Sequence, residues 1–168
     1  MRLASVILLI GLGALSAAKD EPGKPATDGH DAQVAGASEH RMFLPDQLEW
    51  KDSPALPAPA KVAVLEGDPT KEGYFAMRVK LPDGFRIPPH WHPCYERVTV
   101  ISGTFHLGAG EKFDKNSARA LPTGSYWSMR PGMRHFAWAE GETVVQVTTT
   151  GPWGITYVNP ADDPRNKR

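Results

Sequence analysis

Gly84-Phe-Arg-Ile-Pro-Pro-His90-Trp-His92-Pro-Cys-Tyr-Glu96, closed after six further residues by Gly103, is the stretch that decides the fold. Its first part reads as extended backbone, because Pro88 and Pro89 restrict φ and bias the residue before each of them away from helix. Alternate side chains of a strand share a face, so His90 and His92 point one way and Trp91 the other. Pro93-Cys94-Tyr95 reads as a hairpin turn. The return strand begins at Glu96, whose carboxylate comes back beside the two imidazoles. Two nitrogens and one oxygen around a point form a facial two-His, one-carboxylate set, suited to Fe(II), Mn(II) and similar divalent ions.

A second stretch, Gly124-Ser-Tyr-Trp-Ser-Met-Arg130-Pro131-Gly132-Met-Arg-His135, has the same character. Pro131-Gly132 makes a tight turn, and His135 opens the next strand as a third imidazole from across a barrel. Neutral imidazoles and an ionised Glu are the protonation states that metal binding needs.

Outward from these stretches the chain is a series of short β-like segments between turn signals. Val62 to Leu65, Tyr74 to Val79, Phe85 to His92, Glu96 to Ile101, Thr104 to Leu107, Tyr126 to Met129, His135 to Ala139, Thr143 to Thr149 and Trp153 to Val158 are the expected strands. Gly67-Asp68-Pro69, Pro82-Asp83-Gly84, Ser102-Gly103, Gly141 and Gly151 are the expected turns. No amphipathic helical period runs through the chain. The pattern predicts an all-β sandwich or barrel in one copy.

The two stretches together resemble the paired motifs of the cupin superfamily. The first is matched at each position: Gly84, His90, His92, Glu96 and Gly103 at the family spacing. In the second, Gly124, Gly132 and His135 keep the spacing, while Arg130 holds the proline position, with Pro131 one place late, and Ala139 stands where the family has asparagine. The resemblance covers roughly residues 62–158. It implies a conserved-barrel cupin, a double-stranded β-helix or jelly roll, with His90, His92, Glu96 and His135 as ligands of one divalent transition metal. Mn or Fe fit first; Ni, Zn, Cu and Co accept the same ligands. The segment around Trp153 to Asp163 resembles small exported single-domain bacterial cupins.

The ends of the chain are of another kind. Met1-Arg2, the apolar run Val6 to Leu15 and the small residues Ser16-Ala17-Ala18 have the layout of a secretory signal peptide over residues 1–18. An uncleaved anchor is the alternative. Residues 19–41, rich in Gly, Pro, Ala and Asp, read as a linker, with His30 and His40 on a solvated tail. The barrel domain is expected over 42–160, with Leu44, Leu48 and Trp50 docking on its core, and a charged tail over 161–168. The arm from Leu44 to Pro59 is a candidate to lie over a neighbour in a homodimer. The expected location is periplasmic or secreted, with no stable membrane span once the leader is removed. Formal net charge is +0 over 168 residues, which gives no general pull on nucleic acid or anionic membrane. Cys94 is the single cysteine, so no internal disulfide can form.

Other residues compete for roles in a pocket. His106, after Gly103, is a candidate base; Arg86 and Gln146 are candidates to orient a substrate carboxylate. Each has a plainer reading as a structural or rim residue. Cys94, at the hairpin turn, is read as a bystander thiol rather than a ligand, and Trp91 as core or a subunit contact. Four protein ligands on an octahedral ion leave two positions open, the mark of a site that turns over a small molecule. The cupin resemblance allows dioxygenase, oxalate-type decarboxylase or oxidase, isomerase and superoxide-dismutase-like activities, and the three-His, one-Glu set points first to an oxygen-dependent oxidoreductase acting on a small organic molecule. The other class is a non-catalytic exported binder of a small molecule or metal. An acid–base residue in the cavity favours the enzyme; a uniformly apolar cavity favours the binder.

Overall fold

The computed structural model describes residues 41–167. The leader expected over 1–18 and residues 19–40 of the linker, with His30 and His40, lie outside the described residues. Among the described residues no helix is long and apolar enough to cross a membrane, and the helical segments are single 3-10 turns.

Among the described residues nine strands form one curled sheet: β1 (Lys51–Asp52), β2 (Lys61–Glu66), β3 (Gly73–Leu81), β4 (Arg86–Trp91), β5 (Glu96–Ala109), β6 (Arg119–Pro122), β7 (Tyr126–Met129), β8 (His135–Gly151) and β9 (Thr156–Tyr157). All pairings are antiparallel. The expected all-β class holds. The two longest strands organise the rest. The first half of β8 lies between β4 and the second half of β5; its second half lies between β3 and the first half of β5. On its other edge β5 carries β7 and then β6.

Both long strands were expected as two strands each, split at Gly103 and Gly141. Each instead continues through its glycine as a bend. At Gly103, φ is +76°, and an added Cβ would come within 2.5 Å of the Glu142 carbonyl and the Thr143 hydroxyl. Only glycine meets both demands, the positive φ and the close approach. The register between β5 and β8 shifts on either side of this bend, between Val100 and Ser102 and again before Thr104. Such a shift exchanges the faces of a strand. Before the bend Glu96, Val98 and Val100 face inward; after it Phe105 does.

The core is the inner face of the curl: Met77, Val79 and Leu81 of β3, Ile87 of β4, Val98, Val100 and Phe105 of β5, and Ala137, Ala139, Val145 and Val147 of β8. Ala139, in place of the expected asparagine, is fully buried here and pairs through its backbone with Gly84 and Phe85. The displaced proline of the second motif is also absorbed. Met133 N–H donates to the Arg130 carbonyl, closing a turn with Pro131 and Gly132 at its centre, and Gly132, at φ +76°, takes the position that needs it.

One expectation at the ends is corrected. Leu44 is exposed rather than docked, as are Met42 and Phe43, because this stretch precedes the first paired strand. The arm segment 53–56 lies against the chain's own barrel, where Tyr157 Oη donates to the Ala55 carbonyl at 2.9 Å. The residues expected as a charged tail fold back in two 3-10 turns opened by Asn159 and Asp163, each capping the backbone N–H two residues on.

Candidate metal centre

His90, His92 and His135 converge at the inner wall. One ring nitrogen from each lies within 4.8 Å of the others, and all three side chains are buried. β4 pairs with β8 so that His90 stands directly opposite His135. The turn of the second motif holds the first in place: Gly132 N–H donates to the His92 carbonyl at 2.9 Å.

The tautomers are set by the backbone. His90 Nδ1 is 2.7 Å from the Pro88 carbonyl, His92 Nδ1 2.7 Å from the Gly154 carbonyl, and His135 Nδ1 3.0 Å from the Met133 carbonyl. A carbonyl only accepts, so each Nδ1 carries the proton and each Nε2 presents a lone pair. Three bare nitrogens facing one point inside a protein are unfavourable unless something positive sits between them. A backbone carbonyl behind each ring is the arrangement that orients metal-ligating histidines.

Glu96 closes the cluster. Its carboxylate lies 3.6 Å from His92 Nε2 and 3.2 Å from His135 Nε2. Yet His92 Nε2 and Glu96 Oε2 are buried without a hydrogen-bond partner among the described residues. Burial opposes the charge on Glu96, but His135 and the charges of the other imidazoles outweigh it and hold the carboxyl down at about 2. Burial, reinforced by the charges of His135 and His92, pushes the His90 imidazole well below its ordinary value, and burial also lowers His92 against the pull of Glu96. On His135 burial again works against the charge, and here Glu96 prevails and raises it. The ionised carboxylate and two imidazoles kept neutral are a metal's ligand states. On His135 a metal and a proton compete for the same Nε2.

The centre opens on a cavity of about 450 Å³ lined by His90, His92, Glu96 and a majority of apolar side chains, among them Leu81, Val98, Phe105 and Val147. Trp153 lies flat against His92, with ring centroids 4.1 Å apart and planes 20° from parallel. The other polar lining residues, Ser53, Asp68, Thr70 and Arg165, are half-buried or exposed, which places them at the rim.

The remaining pocket candidates do not join this centre. His106 lies on the outer face, stacked on Trp138 at 3.7 Å and bonded through Nε2 to Glu140 at 2.7 Å. Arg86 is exposed, over the Phe113 ring. Gln146 faces outward and accepts from Arg78 Nε. Strand alternation counted from Glu96 would turn His106 inward, and counted from His90 would turn Arg86 inward. The bend at Gly103 and a register shift between Ile87 and His90 reverse both. Gln146 needs no such reason, since the inward residues of β8 are Val145 and Val147 on either side of it. Cys94 is half-buried and outside the histidine cluster; burial raises its thiol, which keeps it protonated. Trp91 is half-buried on the face opposite His90 and His92, as alternation predicts.

Three contributors escaped the sequence reading. Trp153 and Gly154 were expected to open the last strand; in fact they precede it and back His92. Pro152 and Gly154 on either side of Trp153 were the available sign of a break. Arg165, expected in a charged tail, reaches the cavity rim, donating to the Ile155 carbonyl at 2.9 Å while Asp163 pairs with its guanidinium through two oxygens.

The model of the family described as Domain of unknown function (DUF4437) matches residues 29–156. The chain belongs to this family. No curated protein matches it in sequence. Among solved structures, it is similar to an RmlC-like cupin from Shewanella frigidimarina, at 20% identity and TM-score 0.53, covering 67% of this chain and 91% of that one. The polyketide cyclase RemF from Streptomyces resistomycificus superposes with TM-score 0.59 at 14% identity, covering 76% and 91%. A proposed acetylacetone dioxygenase from Methylibium petroleiphilum gives 0.53 at 16%, covering 77% and 88%. At these identities the likeness is one of fold. This DUF4437 chain has the cupin fold, a double-stranded β-helix barrel, and three buried histidines that could hold a metal ion.

Proposed function

We propose that this chain binds one divalent transition metal through His90, His92, His135 and Glu96 and acts on a small organic molecule as an oxygen-dependent oxidoreductase. The observation that carries the metal is the set of three backbone-fixed Nδ1–H groups, which leaves three Nε2 lone pairs and an unpartnered Glu96 oxygen facing one buried point. A bound Fe(II) or Mn(II) would supply Lewis-acid and one-electron chemistry there. The chain's own residues do the rest. Glu96 offsets part of the ion's charge, Trp153 keeps the His92 ring in plane, and the apolar walls exclude water. The leader pattern of residues 1–18 supports an exported chain, periplasmic or secreted.

Two observations bear on the reaction class. Decarboxylation and isomerisation ordinarily use a side chain to move a proton, and among the described residues the buried lining offers none besides the ligands. That favours chemistry residing on the metal, and it equally supports the second reading, a non-catalytic metal-dependent binder. Among the structural neighbours, the proposed acetylacetone dioxygenase is consistent with the first.

The test is the metal content of the chain from Lys19 onward, purified without chelators or a His tag, beside a His90→Ala/His92→Ala variant. About one equivalent of Fe or Mn in the parent, lost in the variant, is expected. A parent that takes up no metal after reconstitution would overturn the proposal. Oxygen uptake by the loaded protein with candidate substrates then separates enzyme from binder.

A further inference from the structure

The charge around the centre and the nature of its walls narrow what the cavity can hold. A divalent ion with Glu96 ionised leaves one net positive charge at the buried end. The walls above it bring no second charge: Met77, Val79, Leu81, Val98, Phe105, Val145 and Val147 are apolar and buried. At the rim, the guanidinium of Arg165 is already balanced by Asp163, with contacts of 2.8 Å from Nε to Oδ1 and 2.6 Å from Nη2 to Oδ2. Asp68 is likewise committed, to Thr70 and Lys71. A dianion at the metal would leave a net negative charge in an apolar cavity with no free cation among its described lining residues to meet it, which burial penalises. A singly charged head brings the site to neutrality.

Resting on the metal reading above, we propose that the cavity takes a small molecule with one singly charged, two-oxygen chelating head and an apolar body, of the kind presented by the enolate of a β-diketone or a singly ionised catechol. A volume of about 450 Å³ holds a ring and a short chain beside such a head. Dicarboxylates and sugar acids, which carry further charge or hydroxyls along their length, find no partners on these walls. Specificity resides in the hydrocarbon wall and in the charge count at the centre, not in an arginine or glutamine reading a carboxylate.

The experiment uses the full mature chain loaded with Co(II), whose visible absorption reports changes at the ion without any turnover. Metal uptake is measured first. Two probes that form chelate rings of the same size are then titrated: 1-phenylbutane-1,3-dione and malonate. The diketone is expected to bind at least about tenfold more tightly, since burial of its phenyl group adds to a chelation both share. A near-isosteric Val147→Thr variant is expected to weaken the diketone about threefold or more and leave malonate unchanged, which ties the preference to this wall. Malonate binding as tightly as the diketone to a Co(II)-loaded protein overturns the ligand class and leaves the metal site standing. Failure to take up Co(II) or any other divalent ion overturns the metal reading and this inference with it.

Discussion

The inner and outer faces of the paired strands β5 and β8 each hold a histidine beside a carboxylate, and the two pairs do opposite things. Inside, His135 Nε2 is 3.2 Å from Glu96, and both side chains are buried. Outside, His106 Nε2 is 2.7 Å from Glu140, whose side chain is 64% exposed. The shorter contact is the less consequential one. His106 spends its Nε2–H on Glu140 and lies flat on Trp138, so it offers no lone pair to a common point. His135 commits Nδ1 to a backbone carbonyl and turns Nε2 toward Glu96 and the other two imidazoles. Proximity to an acid does not make a histidine functional; what decides is which nitrogen the backbone has already claimed, and how far water is kept away.

The largest effect that follows is on metal affinity. His135→Ala should weaken binding by more than about a hundredfold, above the range lost when only an orienting partner is removed. His106→Ala should leave it within about twofold. Competition with a chelator of known affinity measures both. Equal losses from the two substitutions would erase the distinction between the faces.

Why the sequence could place one histidine and not the other is a matter of counting. From Glu96 inward-facing positions recur at every second residue, and the count holds for Val98 and Val100. It also holds for His90, Trp91 and His92, where no irregularity intervenes. The bend at Gly103 inserts a register shift that no periodicity reveals, and beyond it the same count assigns His106 to the wrong face. Arg86 fails for the same reason across the irregularity between Ile87 and His90. Gly103 was legible as a break, but turn and bend differ only in whether the flanking residues keep the same partner strand, which is a long-range fact. The backbone carbonyls of Pro88, Met133 and Gly154 were not legible at all. Two come from positions two residues before their histidine, and the third from a segment 62 residues after His92.

Protons give the next contrast. Burial holds His90 well below 6.5, and His92 below it. As pH falls through 6.5 the unfolded chain takes up protons at these two positions before the folded chain does, so stability falls with pH. His135 is raised; its contribution is present below 6.5 and lost as pH rises through its folded value, which opposes the other two. Glu96, held at about 2, adds stability that is present above the unfolded value of 4.5 and lost as pH falls toward 2. With two lowered histidines against one raised, the metal-free protein should lose stability between about pH 7 and about pH 5. The urea midpoint across that range checks it. A midpoint that climbs on acidification would contradict the assignment of neutral His90 and His92.

A smaller effect tests the backing of His92. Trp153→Leu removes the stacked ring but leaves the Gly154 carbonyl in the chain, so His92 keeps its tautomer and loses its plane. Metal affinity should fall about tenfold, at the low end of what orienting partners contribute. The same chelator competition reads it, and circular dichroism confirms that the barrel persists. A loss as large as that of His135→Ala would mean that Trp153 supports the fold of the centre rather than one ring.

The smallest effect belongs to the outer pair. Glu140→Gln removes the charge facing His106 but keeps an oxygen that can accept from Nε2. With Glu140 largely in water, the exchange should cost no more than about 0.5 kcal/mol and vanish in high salt. His106→Ala should cost more, about 1 kcal/mol, because it also removes the ring stacked on Trp138. Urea denaturation at low and high salt separates the two terms. If Glu140→Gln proved the costlier change, the outer pair would be held by charge, as the inner one is, and the difference between the faces would reduce to burial alone.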